Sequence, residues 1–185
     1  HWDDPPPLDS SICDAVACSF DNPSSSCLVE FKEAKTEWKL QGEETRIGPW
    51  HTGIRTTLRG VFAYARGPGV SSLLLRSFSL SRLGFLEFCY YSVTKGARLR
   101  LFFTSKGEED KRHQIFSSPE TGLYPHGWSC ERVELHPGDY ESLEFVAEKM
   151  PNELAFIGLD EISLIDPLKG SSLCPNHTSI SPLRS

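Results

Sequence analysis

The sequence has no long apolar run. Stretches such as Val61-Phe62-Ala63-Tyr64-Ala65 end after a few residues, far short of the roughly 20 that a helical membrane span requires. No membrane segment is read in this chain, and it is expected to be soluble. An excess of positive charge is also missing. Lys and Arg number 19 against 25 Asp and Glu, a net charge of −6, and the basic residues are dispersed, so no nucleic acid is expected as a partner. The sequence lacks a G-x-S-x-G nucleophile elbow, an H-E-x-x-H zinc helix and a G-x-x-x-x-G-K-[ST] phosphate loop. His51, His113, His126, His136 and His177 stand singly among polar residues, without the orienting partner that imidazole chemistry needs. No carboxylate pair is marked as a glycosidase acid and base. The chain therefore reads as non-catalytic. Its cysteines form no C-x-x-C pair and have no His-x-His beside them, so zinc is without its usual spacing.

What is present is ordinary globular material. Apolar residues make up 38% of the 185, charged residues 24%, and the 13 Pro and 14 Gly are spread along the chain; this is the size and composition of one folded domain with a short tail. Residues 1–12 are polar and proline-rich and read as an extended lead-in, residues 13–174 as the domain, and residues 175–185, rich in Ser and Pro, as a flexible C-terminal tail. Val29 to Leu40 mixes charged and aromatic residues and stays unassigned. From Gly60 onward, VFAYAR, LLLRSFSL, FLEFCYYSV and ARLRLFF read as strands separated by Gly, Pro or Ser. Leu99, Leu101 and Phe103 alternate with Arg98 and Arg100, the period of a half-buried strand. Val133 and Leu135 alternate with Arg132 and Glu134, and Leu143, Phe145 and Ala147 with Glu144 and Glu148. A last strand runs from Phe156 to Ile165. No window of helical length carries a 3.6-residue apolar stripe. The expected fold class is all-β, a jelly-roll β-sandwich of two antiparallel sheets. Lys106 to His113, which mixes both charge signs, reads as a solvated loop, and Gly67-Pro68-Gly69 as a turn.

The six cysteines, Cys13, Cys18, Cys27, Cys89, Cys130 and Cys174, are even in number. Together with the acceptor sequence Asn176-His177-Thr178, they point to an oxidised, extracellular setting, with Asn176 as the candidate glycosylation site. Asn22-Pro23-Ser24 is excluded by its proline. The chain opens at His1 without Met or an apolar leader, as either a processed secreted protein or a trimmed piece of a longer chain would.

Cys18-Ser19-Phe20-Asp21, Cys27, Trp38, Gly60, Leu86-Glu87-Phe88-Cys89-Tyr90, and Trp128 followed by Val133 and Leu135 stand in the order of a MAM domain. The segment Ile157-Gly158-Leu159-Asp160-Glu161-Ile162-Ser163-Leu164 resembles the closing I-A-I-D-D-I-x-L signature of that family. The resemblance spans residues 18–174. It implies a jelly-roll module of the kind found in receptor phosphatases, receptor kinases, neuropilins and meprin-type proteases, used for adhesion or assembly. It also implies an extracellular protein partner or self-association. No cofactor is expected to be required; some MAM domains hold a metal ion near residues matching Asp21 and Asp160, and Ca2+ is the ion these two carboxylates suggest, the alternative being that each bonds backbone amides at a turn.

The chain departs from the family in its cysteines. Members carry one at the position of Phe85, whereas here it falls at Cys89; Cys13 and Cys130 are additional, and the spacer from Asp160 to Cys174 is long. Cys18–Cys27 is expected to close a short loop beside the first strand. If Leu86, Phe88 and Tyr90 face inward, Cys89 faces outward; if Val133 and Leu135 face inward, so does Cys130 face outward. A shared face permits Cys89–Cys130, leaving Cys13–Cys174 to tie the ends, since a disulfide needs Cα atoms about 4.4–6.8 Å apart. The family-like alternative is Cys89–Cys174 with Cys13–Cys130.

Two surface readings remain. Trp38, Trp50, Trp128, Phe62, Tyr64, Phe88 and Tyr90 are expected chiefly in the core, with a sugar-stacking platform, and hence a carbohydrate-binding jelly roll, as the alternative. Strict alternation puts Phe102 outward with Arg98 and Arg100, and these three are the candidate protein-binding residues, with Phe102 packed beneath a loop as the other reading.

Overall fold

The computed structural model describes residues 10–18, 20, 38–41, 62–92, 94–119 and 128–174. In chain order the elements are α1 (Ser10–Val16), β1 (Lys39–Gln41), β2 (Phe62–Arg66), β3 (Gly69–Leu75), β4 (Phe78–Leu80), β5 (Gly84–Ser92), β6 (Arg98–Ser105), β7 (Arg112–Ser117), β8 (Ser129–Leu135), β9 (Gly138–Met150) and β10 (Phe156–Ile165). Among the described residues the strands form two antiparallel sheets. The first runs β1-β2-β10-β5-β8, and the second β3-β9-β6-β7, with β4 pairing β9 beyond the end of β3. The fold is the all-β sandwich that the alternating patterns require.

Strand after strand, every second residue is apolar and points between the sheets. Leu86, Phe88 and Tyr90 of β5 and Ile157, Leu159 and Leu164 of β10 meet Leu99 and Leu101 of β6 and Leu143 and Phe145 of β9, all buried in one core. Phe88 spans the gap: its ring lies edge-on to Phe145 at 5.2 Å and to Phe116 at 5.1 Å on the opposite sheet. Such edge-to-face contacts add about 0.5–1.5 kcal/mol beyond area burial. Trp38, at the entry to β1, is buried in the same core and Leu40 packs against it, so the described end of the unassigned stretch is anchored inward.

Two sequence expectations change. Residues 10–12, taken as part of an extended lead-in, open the helix α1. Ile12, Ala15 and Val16 fall at helical spacing and are buried while Asp14 is exposed; seven residues are too few for that stripe to register in a window of helical length. The Ala17 amide donates to the Cys13 carbonyl at 3.0 Å to close the helix. Cys18 then exchanges two backbone hydrogen bonds with Ile162, of 2.7 and 2.9 Å, continuing the edge of β10 where β2 leaves it. The second change is at Lys106 to His113: only the first part is a turn, since Arg112 and His113 belong to β7.

The disulfides fasten this frame. Cys13 is joined to Cys174 with Cα atoms 5.5 Å apart, linking α1 to the chain beyond β10. Cys89 is joined to Cys130 across β5 and β8, where the two residues are directly opposite in register. Cys18 is also disulfide-bonded; Cys27, and with it the expected Cys18–Cys27 pairing, lies outside the described residues.

Where the chain passes from β2 to β3, Gly67 packs against the segment before β10. Its amide donates to the Ala155 carbonyl at 2.9 Å, and a Cβ there would lie 2.3 Å from the Asn152 carbonyl oxygen and 2.9 Å from Met150 Cβ. Backbone cannot yield as a side chain can. Gly67→Ala is therefore expected to destabilise the fold by about 1–3 kcal/mol, read as a lower midpoint in urea. Replacing Cys13 and Cys174 together by Ser is expected to cost about 2–5 kcal/mol in the same measurement, with unchanged far-ultraviolet circular dichroism at low denaturant.

Candidate functional site

The outer face of the second sheet gathers the residues singled out on β6. Register places Arg98 opposite Glu148, Arg100 opposite Val146 and Phe102 opposite Glu144 on β9, and Phe102 opposite Gln114 and Thr104 opposite Arg112 on β7. The charged groups here are paired. Arg100 donates to Gln114 Oε1 at 2.7 Å and Glu148 Oε1 at 2.9 Å. Arg112 donates to Glu144 Oε1 at 3.0 Å, and the Ser72 hydroxyl of β3 donates to the other Glu144 oxygen at 2.5 Å. Glu144 thus ties three strands together across this face. With Arg112 half exposed, the pair with Glu144 is worth only about 0.2–1 kcal/mol; its effect is to orient the guanidinium.

Phe102 does face outward, as alternation requires, yet it is 4% exposed, and this corrects the expectation of an accessible ring. Two guanidiniums cover it. Arg112 lies 4.0 Å and Arg100 4.6 Å from its centroid, so the ring is held by cation–π attraction and by burial beneath the arginine stems. Arg112 was missed because its segment reads as a charged loop; nothing local reveals that β7 brings it alongside β6. Open apolar surface lies instead on β3, where Leu74, opposite Glu144, is 48% exposed and Val70 62%.

The outer face of the first sheet is aromatic. Phe62, Tyr64, Tyr91 and Phe156 form a second buried cluster, with Trp128 packed against it. Trp128 meets Phe62 edge-on at 5.4 Å and Tyr91 at 5.7 Å. Gly158 lies opposite both Tyr64 and Tyr91. Burial pushes the Tyr64 hydroxyl above its ordinary range, with the positive charge of Arg66 pulling the other way. Of the aromatic residues considered from sequence, Trp38, Phe88 and Tyr90 thus fill the central core and Phe62, Tyr64 and Trp128 the second cluster, while Trp50 lies outside the described residues. The exposed large hydrophobics among the described residues are all aliphatic: Val70, Leu74, Leu83, Leu154 and Leu168.

Asp160 sits on this same outer face, opposite Cys89, at 1% exposure. Its Oδ1 accepts the Glu161 amide at 2.8 Å, where Glu161 takes a positive φ of 56° at the irregularity in β10. Asp21 lies outside the described residues, as does Asn176. Among the described residues no group of three or more His, Cys, Asp or Glu side chains is placed to hold a metal ion. No described helix is long and apolar enough to cross a membrane.

No protein-family model matches the chain, and no curated protein matches it significantly. Solved structures do. The K3 cleaved adhesin domain of Lys-gingipain from Porphyromonas gingivalis W83 is 14% identical over 82% of this chain and 98% of that one, with a TM-score of 0.50. The K1 domain of the same protein is 17% identical over 79% and 94%, with a TM-score of 0.47, and a family 16 carbohydrate-binding module 13% identical over 60% and 79%, at 0.44. At such identities the first similarity concerns the sandwich fold alone, and the other two carry no argument. The MAM resemblance rests on the sequence motifs.

Because Phe102 is buried, Phe102→Ala is expected to cost about 3 kcal/mol, whereas an exposed ring would cost almost nothing; equilibrium unfolding separates the two.

Proposed function

We propose that the chain is a non-catalytic, MAM-like extracellular module of a larger receptor or secreted protein, and that it binds a protein partner through the outer face of its second sheet. The observation that carries this reading is the make-up of that face. A rigid layer of paired Arg and Glu side chains around Phe102 lies beside the exposed aliphatic side chains Leu74 and Val70. Exposed aliphatic side chains within a polar, hydrogen-bonded surround suit a protein-binding surface, and a disulfide-fastened sandwich holds them in one geometry, which lowers the entropy cost of docking. Disulfide-bonded cysteines in a chain of this size support the extracellular setting.

The carbohydrate-binding alternative needs aromatic rings presented to solvent for a sugar to stack on. Among the described residues the exposed large hydrophobics are aliphatic instead, and this favours the protein partner.

The test is binding of the multimerised chain to cell surfaces treated with protease or with glycosidases. Binding abolished by protease, retained after glycosidases and weakened about tenfold by Leu74→Asp is the expected result. Loss after glycosidase treatment with retention after protease would establish the carbohydrate reading in its place.

A further inference from the structure

We infer that the Cys89–Cys130 disulfide is a thiol–disulfide exchange site, opened by attack of an external dithiol on Cys130. The two bonds defined in the structure differ in access. Cys13 and Cys174 are 5% and 1% exposed, so their bond is shielded until the fold opens. Cys89 is 4% exposed, but Cys130 is an exposed residue. Disulfides accessible to solvent are the labile ones, because exchange requires a thiolate to reach a sulfur.

Placement in the sheet selects which sulfur is reached. A thiolate attacks along the S–S axis, from the side away from the departing sulfur. For Cys130 that side lies away from β5, and among the described residues β8 is the last strand in the order of its sheet. For Cys89 it lies over β10, where the opposite residue on the same face, Asp160, is buried.

The exchange balances as follows. One thiolate of the dithiol bonds to Cys130 Sγ while the S–S bond breaks, its electron pair leaving on Cys89 Sγ, which takes a proton from water. The second thiolate of the dithiol then displaces Cys130, so the dithiol is oxidised to a disulfide and Cys89 and Cys130 are reduced to thiols. The consequence is local. β8 stays paired to β5 by backbone hydrogen bonds but loses its covalent clamp, and Trp128 precedes β8 at the rim of the aromatic cluster.

The test is brief exposure of the native chain to dithiothreitol, alkylation at each time point, and peptide mass spectrometry. Labelling of Cys89 and Cys130 about tenfold or more faster than Cys13 and Cys174, with near-ultraviolet circular dichroism retained and faster amide exchange over residues 129–135, is the expected result. Acid-quenched reaction with glutathione is expected to place the mixed disulfide on Cys130. Labelling of all four cysteines together at the rate of global unfolding, unchanged amide exchange at 129–135, or an adduct on Cys89 would overturn the inference.

Discussion

The contact of Phe88 with Phe145 and Phe116 across the gap between the sheets is the constraint on which the rest depends. Each sheet is a layer with one apolar face, and neither is stable until that face is covered. Once Phe88 points inward, the period of two fixes the direction of its neighbours: Leu86 and Tyr90 with it, Glu87, Cys89 and Tyr91 away from it. The same logic on β6 and β9 puts Leu99, Leu101, Leu143 and Phe145 inside and Arg98, Arg100, Glu144 and Glu148 outside. The outward disulfide and the outward ion pairs are thus consequences of filling one core.

What distinguishes this sandwich is the use of its two outer faces. A sheet in a two-layer fold ordinarily turns polar residues outward, and the second sheet does so, with a paired Arg and Glu surface. The first sheet carries Phe62, Tyr64, Tyr91 and Phe156 outward, and all four are buried. Its outer face is therefore a second core. Gly158 between Tyr64 and Tyr91 fits that role, because a side chain there would point into the layer where the rings pack. This division leaves the second sheet, with its open Leu74 and Val70, as the face turned to solvent.

The alternating strands were legible residue by residue, because burial on one side writes a period of two into the sequence. Cys89 and Cys130 were legible as sharing an outward face for the same reason. The helix α1 was not, because seven residues hold too little periodicity, and the tether at Cys13 fixes it from far along the chain. Phe102 is the instructive miss. Alternation correctly gave its direction and then suggested exposure, but direction and exposure are different quantities when neighbouring strands supply arginines long enough to close over a ring. Arg112, one of those two, lay in a segment whose mixed charge reads as solvated loop.

By itself, then, the sequence determined the fold class, the inward and outward sets on each strand and the faces its cysteines share. These are all properties of local periodicity, residue type and parity. Only the tertiary structure decided which strands are neighbours, that Glu144 joins β3, β9 and β7, that Arg100 and Arg112 cover Phe102, and that one outer face is closed by aromatics while the other is polar. Those outcomes depend on register between segments far apart in the chain, and the energy that sets register belongs to pairs of residues that only the folded chain brings together.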